Sequence, residues 1–478
     1  MFNLCLQMKE DGVKPDRVTY DMLLQTCSDV GMPQEAWAVF EDMVAMGSRP
    51  DSQVFYHLLN TMSHQPLADM WTVWDTMKEY GIEPDRRLYE RLILRLADGQ
   101  ALELALQYLL EMSGQGITPS LKTVQAIIRL ACHLREPRLA LQLADAFEDA
   151  SVRRIDSQTW MTILNASSES LFAEGVSIAW DRVVKTDGIL PDEGCCLNVL
   201  HTAGRHGLSS LGLNALTSLR KMNVVWEEHH FAPVLEAFCN EGNLREAFSL
   251  LELMRESNIT PLMETAWPIF RTIRSDVEKV DEAFGVLESL KEEGKKVDVI
   301  GLNIVIQACV ALGDLQRALG TYKAAADLGV TPSVDTYNTL LGACVAAKHR
   351  ELGDRLLGEM REAKIKPNAR TYERLIVLCL TQPVYEDAFF YLEEMKGAGL
   401  LPAESVYEAL IRRCVSVGDT RYKLAVEEML EHGYEMTAPL QRFIETGGQE
   451  SEQEKPRRRR EQRDHQSQSQ EQSEAATA

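Results

Sequence analysis

The feature that most constrains this chain is a short phrase that returns about every 35 residues. Gly-x-x-Pro stands at Gly12–Pro15, Gly47–Pro50, Gly81–Pro84, Gly116–Pro119, Gly188–Pro191, Gly329–Pro332 and Gly399–Pro402. Glycine takes the left-handed conformation that ends a helix, and a proline just beyond it prevents continuation. Four residues before the glycine position stand Met8, Met43, Met77, Met112, Met395 and Met429, on one face of the helix being terminated. Fixed-period self-similarity of this kind implies a stack of like units rather than one compact core.

After each break a new helix is predicted, with an aromatic at its fourth residue in Tyr20, Phe55, Tyr89, Trp160, Phe231, Tyr337, Tyr372 and Tyr407. Apolar residues follow at helical spacing, as in Tyr337, Leu340, Leu341 and Cys344. A polar or glycine-containing break then leads to a second helix, such as 33–46 or 243–256. Unit starts fall at Arg17, Ser52, Arg86, Leu121, Ser157, Glu193, Glu228, Met263, Val299, Val334, Ala369 and Glu404. Two short amphipathic helices cannot bury their apolar faces alone, so neighbouring units must supply a shared core.

The segment 334–341 (VDTYNTLL), closed by Glu359-Met360 and Lys366-Pro367-Asn368, resembles the pentatricopeptide repeat consensus, as does 18–51. The Trp/Leu-Gly pattern of the related tetratricopeptide repeat does not fit. The resemblance runs from residue 1 to about 438, strongest in the first two and last four units and weaker over 121–298. It implies an all-α fold, a right-handed α-solenoid superhelix of about twelve 35-residue helix-turn-helix repeats. Residues 1–16 match the second half of a unit, so the chain begins mid-repeat, either truncated or capped by a half-repeat. Residues 439–446 are expected to cap the array at 438. Residues 447–478 are Gln/Ser/Glu-rich without apolar periodicity and are expected to be disordered. The basic run Lys455–Arg460 within them, flanked by glutamates, reads as part of a solvated tail.

Cysteine usage fits the repeat. Cys309, Cys344, Cys379 and Cys414 recur at a step of 35, with Cys27 at the same place in its unit, as expected of small buried side chains on a helix. No stretch approaches the roughly 20 apolar residues that span a bilayer. The opening residues carry Glu10 and Asp11 and lack the layout of a signal or transit peptide. No HxE with a downstream PCxxC is present to hold a catalytic zinc, and no phosphate-cradling glycine loop occurs. The acidic group Asp276, Glu278, Asp281 and Glu282 lies at a predicted helix start, where carboxylates favour the helix dipole, and His229-His230 reads as ordinary polar surface. Neither an enzyme, a metal site nor a cofactor is expected.

In pentatricopeptide proteins the first helix of each unit lines a groove, and one repeat reads one base. By that resemblance the reading pair is the residue after the aromatic position and the last residue of the unit. Of the pairs this gives, Asn303/Ser333 and Asn338/Asn368 match standard pyrimidine-favouring combinations, while Asp21/Asp51 and the units at Glu90, Glu373 and Glu408 are acidic. Val18 and Ile300 occupy the position that packs flat on a base. Tyr56 and Trp267 offer base stacking, with packing between repeats as the competing role.

The net charge of −22 opposes polyanion binding unless basic residues gather on one face. A carboxylate ~7 Å from a phosphate costs about 0.6 kcal/mol in bulk water and roughly 2.4 at an effective dielectric of 20. A short footprint centred on 299–368 is therefore expected. Two readings of the partner stay open. One is single-stranded RNA of a mitochondrial transcript, bound to support stability, processing or translation. The other is protein, with the solenoid serving as a scaffold for the mitochondrial ribosome or a respiratory complex. The resemblance implies a mitochondrial location, with the plastid as the alternative.

Overall fold

The computed structural model describes residues 2–448. All regular secondary structure among them is helical, and it divides into two units at the Glu241–Gly242 boundary. The expected tail from 449 onward, with its basic run, lies outside the described residues.

The first unit is an α-solenoid of antiparallel helix pairs. After Phe2–Glu10 come Arg17–Val30 with Pro33–Ala45, Ser52–Thr61 with Leu67–Glu79, and Arg86–Asp98 with Leu102–Gly114. Leu121–His133 with Pro137–Ala150, Ser157–Glu169 with Ala173–Trp180, and Glu193–His206 with Ser209–Lys221 follow, and Glu228–Glu241 ends the unit. The helix at Ala173 widens into a π-helical turn over Asp181–Thr186.

The second unit has the same construction. Leu244–Glu256 precedes Trp267–Ile273 with Val277–Glu292, Val299–Ala311 with Leu315–Lys323 and Ala325–Leu328, and Val334–Ala347 with Arg350–Glu362. Ala369–Leu380 with Asp387–Gly397, Glu404–Val417 with Tyr422–Glu431, and Ala438–Glu445 complete it.

Most first helices open on an N-terminus capped by a side chain. Asp16, Asp51, Asp85, Asp156, Asp192 and Asn368 accept the backbone N–H three residues on, as Ser120 and Ser333 do through their hydroxyls. Such a cap contributes typically ~1 kcal/mol. At the other end of each hairpin, Gly47 and Gly329 sit at φ 82° and 73°, which glycine adopts without strain. The fourth-residue aromatics form the spine of the core. Tyr20, Phe55, Tyr89, Phe231 and Tyr407 have no exposed surface, and Trp160, Tyr337 and Tyr372 very little. All ten cysteines are buried and free, and burial pushes the Cys344 and Cys379 thiols up to about 11. They pack as small apolar groups rather than as nucleophiles.

Two local expectations change. The helix placed at Met263 opens instead at Trp267, and 263–266 form a turn. Proline at the sixth position of a helix removes a hydrogen bond and crowds the preceding turn. Glu228–Glu241 carries Pro233 at that same position and stays helical from its start, where buried His230 accepts the Glu227 N–H at 2.9 Å. At Pro268 the corresponding cap is weaker, Thr265 Oγ1 taking the Leu262 N–H at 3.4 Å. His230 is thus a buried cap, not polar surface, while His229 beside it is exposed.

Candidate nucleic-acid interface

In this stacking, the last residue of one repeat is also the N-cap of the next first helix. The two members of a reading pair, 30 residues apart, are thereby brought side by side. Asn338 Nδ2 donates to Asn368 Oδ1 at 3.2 Å, and Asn303 Nδ2 donates to Ser333 Oγ at 3.3 Å.

A third residue in each set was not singled out from the sequence. Thr371 Oγ1 donates to Asn338 Oδ1 at 2.8 Å, and Thr336 Oγ1 donates to Asn303 Oδ1 at 2.6 Å. Each threonine also closes a capping box, accepting the N–H of Asn368 or Ser333. The hydroxyl fixes which way the amide faces: oxygen toward threonine, nitrogen toward the cap. One N–H and one oxygen lone pair of each asparagine remain unspent. The signal that could have found these threonines is their place, third in a first helix, directly after a unit that carries asparagine at its fifth residue.

The other expected site residues fare differently. Ile300 is buried, whereas Val18 is 62% exposed. Asp51 caps its helix and pairs with Arg17, while a buried oxygen of Asp21 has no partner. Tyr56 packs partly buried against the first unit's core, its ring edge-on to His57 at 5.8 Å. Trp267 is 43% exposed and leans on Phe270 with centroids 4.7 Å apart.

Trp267 and Asn338 line one cleft of about 770 Å³ in the second unit, together with Gln307, Arg370 and Arg374 and the carboxylates of Glu264 and Asp335. Asn303 does not line it. Arg374 enters between first helices because Gly342 leaves a notch: the guanidinium occupies the space a β-carbon at 342 would fill. It donates to the Asn338 backbone carbonyl and forms no ion pair among the described residues. Burial, then the like charge of Arg370, hold the Arg374 guanidinium below the ordinary arginine range.

The acidity is unevenly shared between the layers. First helices carry equal numbers of basic and acidic side chains, whereas on second helices acidic residues outnumber basic ones nearly two to one. Val277–Glu292 alone bears five carboxylates against two lysines. No group of three or more His, Cys, Asp or Glu among the described residues could hold a metal ion, and no helix is long and apolar enough to cross a membrane.

A family model described as "Pentatricopeptide repeat-containing protein" matches residues 193–325. Another, "Pentatricopeptide repeat domain", matches 2–30, 38–99, 325–382 and 355–417, and "PPR repeat" matches 18–48. This chain belongs to the pentatricopeptide repeat family. A mitochondrial pentatricopeptide repeat-containing protein of Arabidopsis thaliana is 23% identical over 382 residues, covering 66% of this chain and 60% of the relative. A chloroplastic one from the same plant is 22% identical over 281 residues, covering 52% and 51%. The chain thus spans about half to three-fifths of the length of these curated relatives. Among solved structures, the maize pentatricopeptide repeat protein PPR10 aligns over 93% of this chain and 63% of its own, at 19% identity and a TM-score of 0.40.

Proposed function

We propose that this pentatricopeptide array binds single-stranded RNA without catalysis, reading a short pyrimidine-containing segment at the units that begin at Val299 and Val334. The observation that carries the reading is the pair of threonine-oriented asparagine amides, each with an unspent donor and acceptor. A pyrimidine edge offers both a hydrogen-bond acceptor and, at its third ring position or exocyclic group, a complementary partner. The balanced charge of the first helices supports it as well, because the acidity that opposes phosphate lies mainly on the other layer.

The two sites differ in access. Both side chains are buried, Asn338 at 2% exposure and Asn303 at none, but Asn338 lines the cleft and Asn303 does not. Pyrimidine preference should therefore be stronger at the nucleotide facing Asn338. Val18, Asp21 and Asp51, in an acidic unit, contribute less. Mitochondrial and chloroplastic relatives support an organellar location and an organellar transcript as target, with effects on its stability, processing or translation.

The test is selection of bound sequences from a randomised RNA pool by the full chain, with filter binding over a salt series. Enrichment of a pyrimidine that disappears in Asn338→Ala is the expected result. Failure to retain any RNA at low salt would remove this reading and favour the protein scaffold, whose partners co-purification from organelles would then identify.

A further inference from the structure

We infer that Arg374, seated in the notch at Gly342 and seconded by Arg370, is a receptor for the RNA phosphate next to the base read by Asn338. This rests on the RNA-binding reading above and adds a backbone contact at a position that base reading does not use.

Three observations converge on it. Arg374 is half-buried between two first helices with no carboxylate partner, in a chain of net charge −22 where some first-helix arginines are neutralised by carboxylates. Arg86 pairs with Glu90 and Arg412 with Glu408, both within their own helices. One Arg374 N–H goes to the Asn338 carbonyl, which leaves the rest of a planar fork of donors facing the cleft. That tether ties the fork to the residue whose side chain is to meet the base.

The fit depends on a glycine in a helix interior, an unfavourable residue for the helix itself. Gly342 serves the arginine instead, since any β-carbon there would displace the guanidinium. Arg370 enters the same cleft without a side-chain hydrogen bond or ion pair among the described residues. Two unneutralised guanidiniums side by side repel one another, and an anion between them relieves the repulsion. Asp335 and Glu264 also line the cleft and limit the anion to one placed on the arginine side. A cleft of about 770 Å³ has room for a nucleotide unit.

The experiment measures fluorescence anisotropy of a labelled short oligouridylate with the full chain, from about 50 to about 250 mM salt. Wild type is compared with Arg374→Gln, Arg370→Gln and Gly342→Ala. Each single-strand phosphate contact contributes about 0.7 to the slope of log affinity against log salt. Arg374→Gln should lose about that much slope and bind several-fold more weakly at the lowest salt.

Gly342→Ala should act in the same direction with every charge retained, because a β-carbon at 342 forces the guanidinium to shift from its present place. Its melting temperature should equal or exceed that of wild type, which separates lost binding from lost folding. A wild-type slope in Arg374→Gln, with RNA still bound, overturns the phosphate assignment and leaves RNA binding intact. No binding by wild type at the lowest salt overturns both. Competition by uridine monophosphate at the affinity of the oligomer would make the site a free-nucleotide receptor and also overturn it. Weak competition from the monophosphate and from inorganic phosphate is the supporting result.

Discussion

The slot around Asp21 in the first unit and the slot around Asn338 in the second are built on one frame and filled with different chemistry. Each fifth residue follows a buried aromatic, Tyr20 or Tyr337, and each lies one repeat before a capped helix start, Asp51 or Asn368. At Asn338 the third residue of the next helix is Thr371, which donates to the amide oxygen, and the sixth is Arg374, which donates to the backbone carbonyl. At Asp21 those places hold Val54 and His57. Valine has no hydroxyl to give, and one buried oxygen of Asp21 is left without a partner, as is His57 Nδ1. The backbone frame is therefore indifferent to what it presents. Whether a fifth residue is held in one orientation depends on the third and sixth residues of the following repeat.

The largest effect should come from breaking the shared frame. Tyr20→Ala and Tyr337→Ala each remove a fully or nearly fully buried ring, a loss of about 3–5 kcal/mol for large aromatics. Each tyrosine hydroxyl is also bonded, Tyr20 to Asp42 at 2.9 Å and Tyr337 to Tyr322 at 3.1 Å. In a repeat stack such a loss is felt by the unit and its immediate neighbours. Hydrogen exchange should show protection lost around the substituted repeat to a similar extent in both variants. A much smaller loss at Tyr20 would mean that the two slots do not share a frame.

That frame was legible in the sequence because its signals are local. Gly-x-x-Pro, the fourth-residue aromatic and the capping residue lie within a few positions of the turn they govern. The site was only half legible. Reading pairs could be carried over by position, but the bonds that orient them join residues 33 apart, as Thr371 to Asn338, or 36 apart, as Arg374 to Asn338. Nothing within either helix announces them. Gly342 is unfavourable within its helix, and only the Arg374 guanidinium, a repeat away, fills the place of its missing β-carbon. The helix start at Met263 failed for a related reason. Pro233 and Pro268 have the same register, and the helix that closes over its proline is the one with the shorter cap at its start.

A smaller effect follows from exchanging the third residues. Thr371→Val leaves the buried Asn338 oxygen unpaired, a penalty of about 1–3 kcal/mol, and frees the amide to turn over. Stability and pyrimidine preference should fall together. Val54→Thr makes the opposite change, offering Asp21 the missing donor, and should stabilise the first unit by about 1 kcal/mol. Paired thermal melts of the two variants check both signs. A destabilised Val54→Thr would show that Asp21 is oriented away from the third position, and the comparison would fail there.

The smallest effect concerns the sixth residues. Burial depresses the pKa of His57, while the carboxylates of Asp21 and Asp29 oppose the shift without cancelling it. Because the folded value lies below the unfolded one, the unfolded chain binds the proton more readily. The stability tied to neutral His57 is complete above the unfolded pKa of about 6.5 and is lost as pH falls toward and through the folded value. Asp21→Asn removes a charge that favours the imidazolium. It should steepen the acid-side loss, even as it relieves the unpartnered carboxylate oxygen at neutral pH. His57→Gln should flatten the same limb. Arg374, in the equivalent place, stays charged throughout this range, so Arg374→Gln should leave the profile between pH 7 and pH 5 unchanged. Chemical denaturation of the four proteins over that interval separates the cases. Parallel curves for wild type and Asp21→Asn would mean that no coupling crosses the Asp21–His57 slot, and that the sixth residue matters only where it is an arginine.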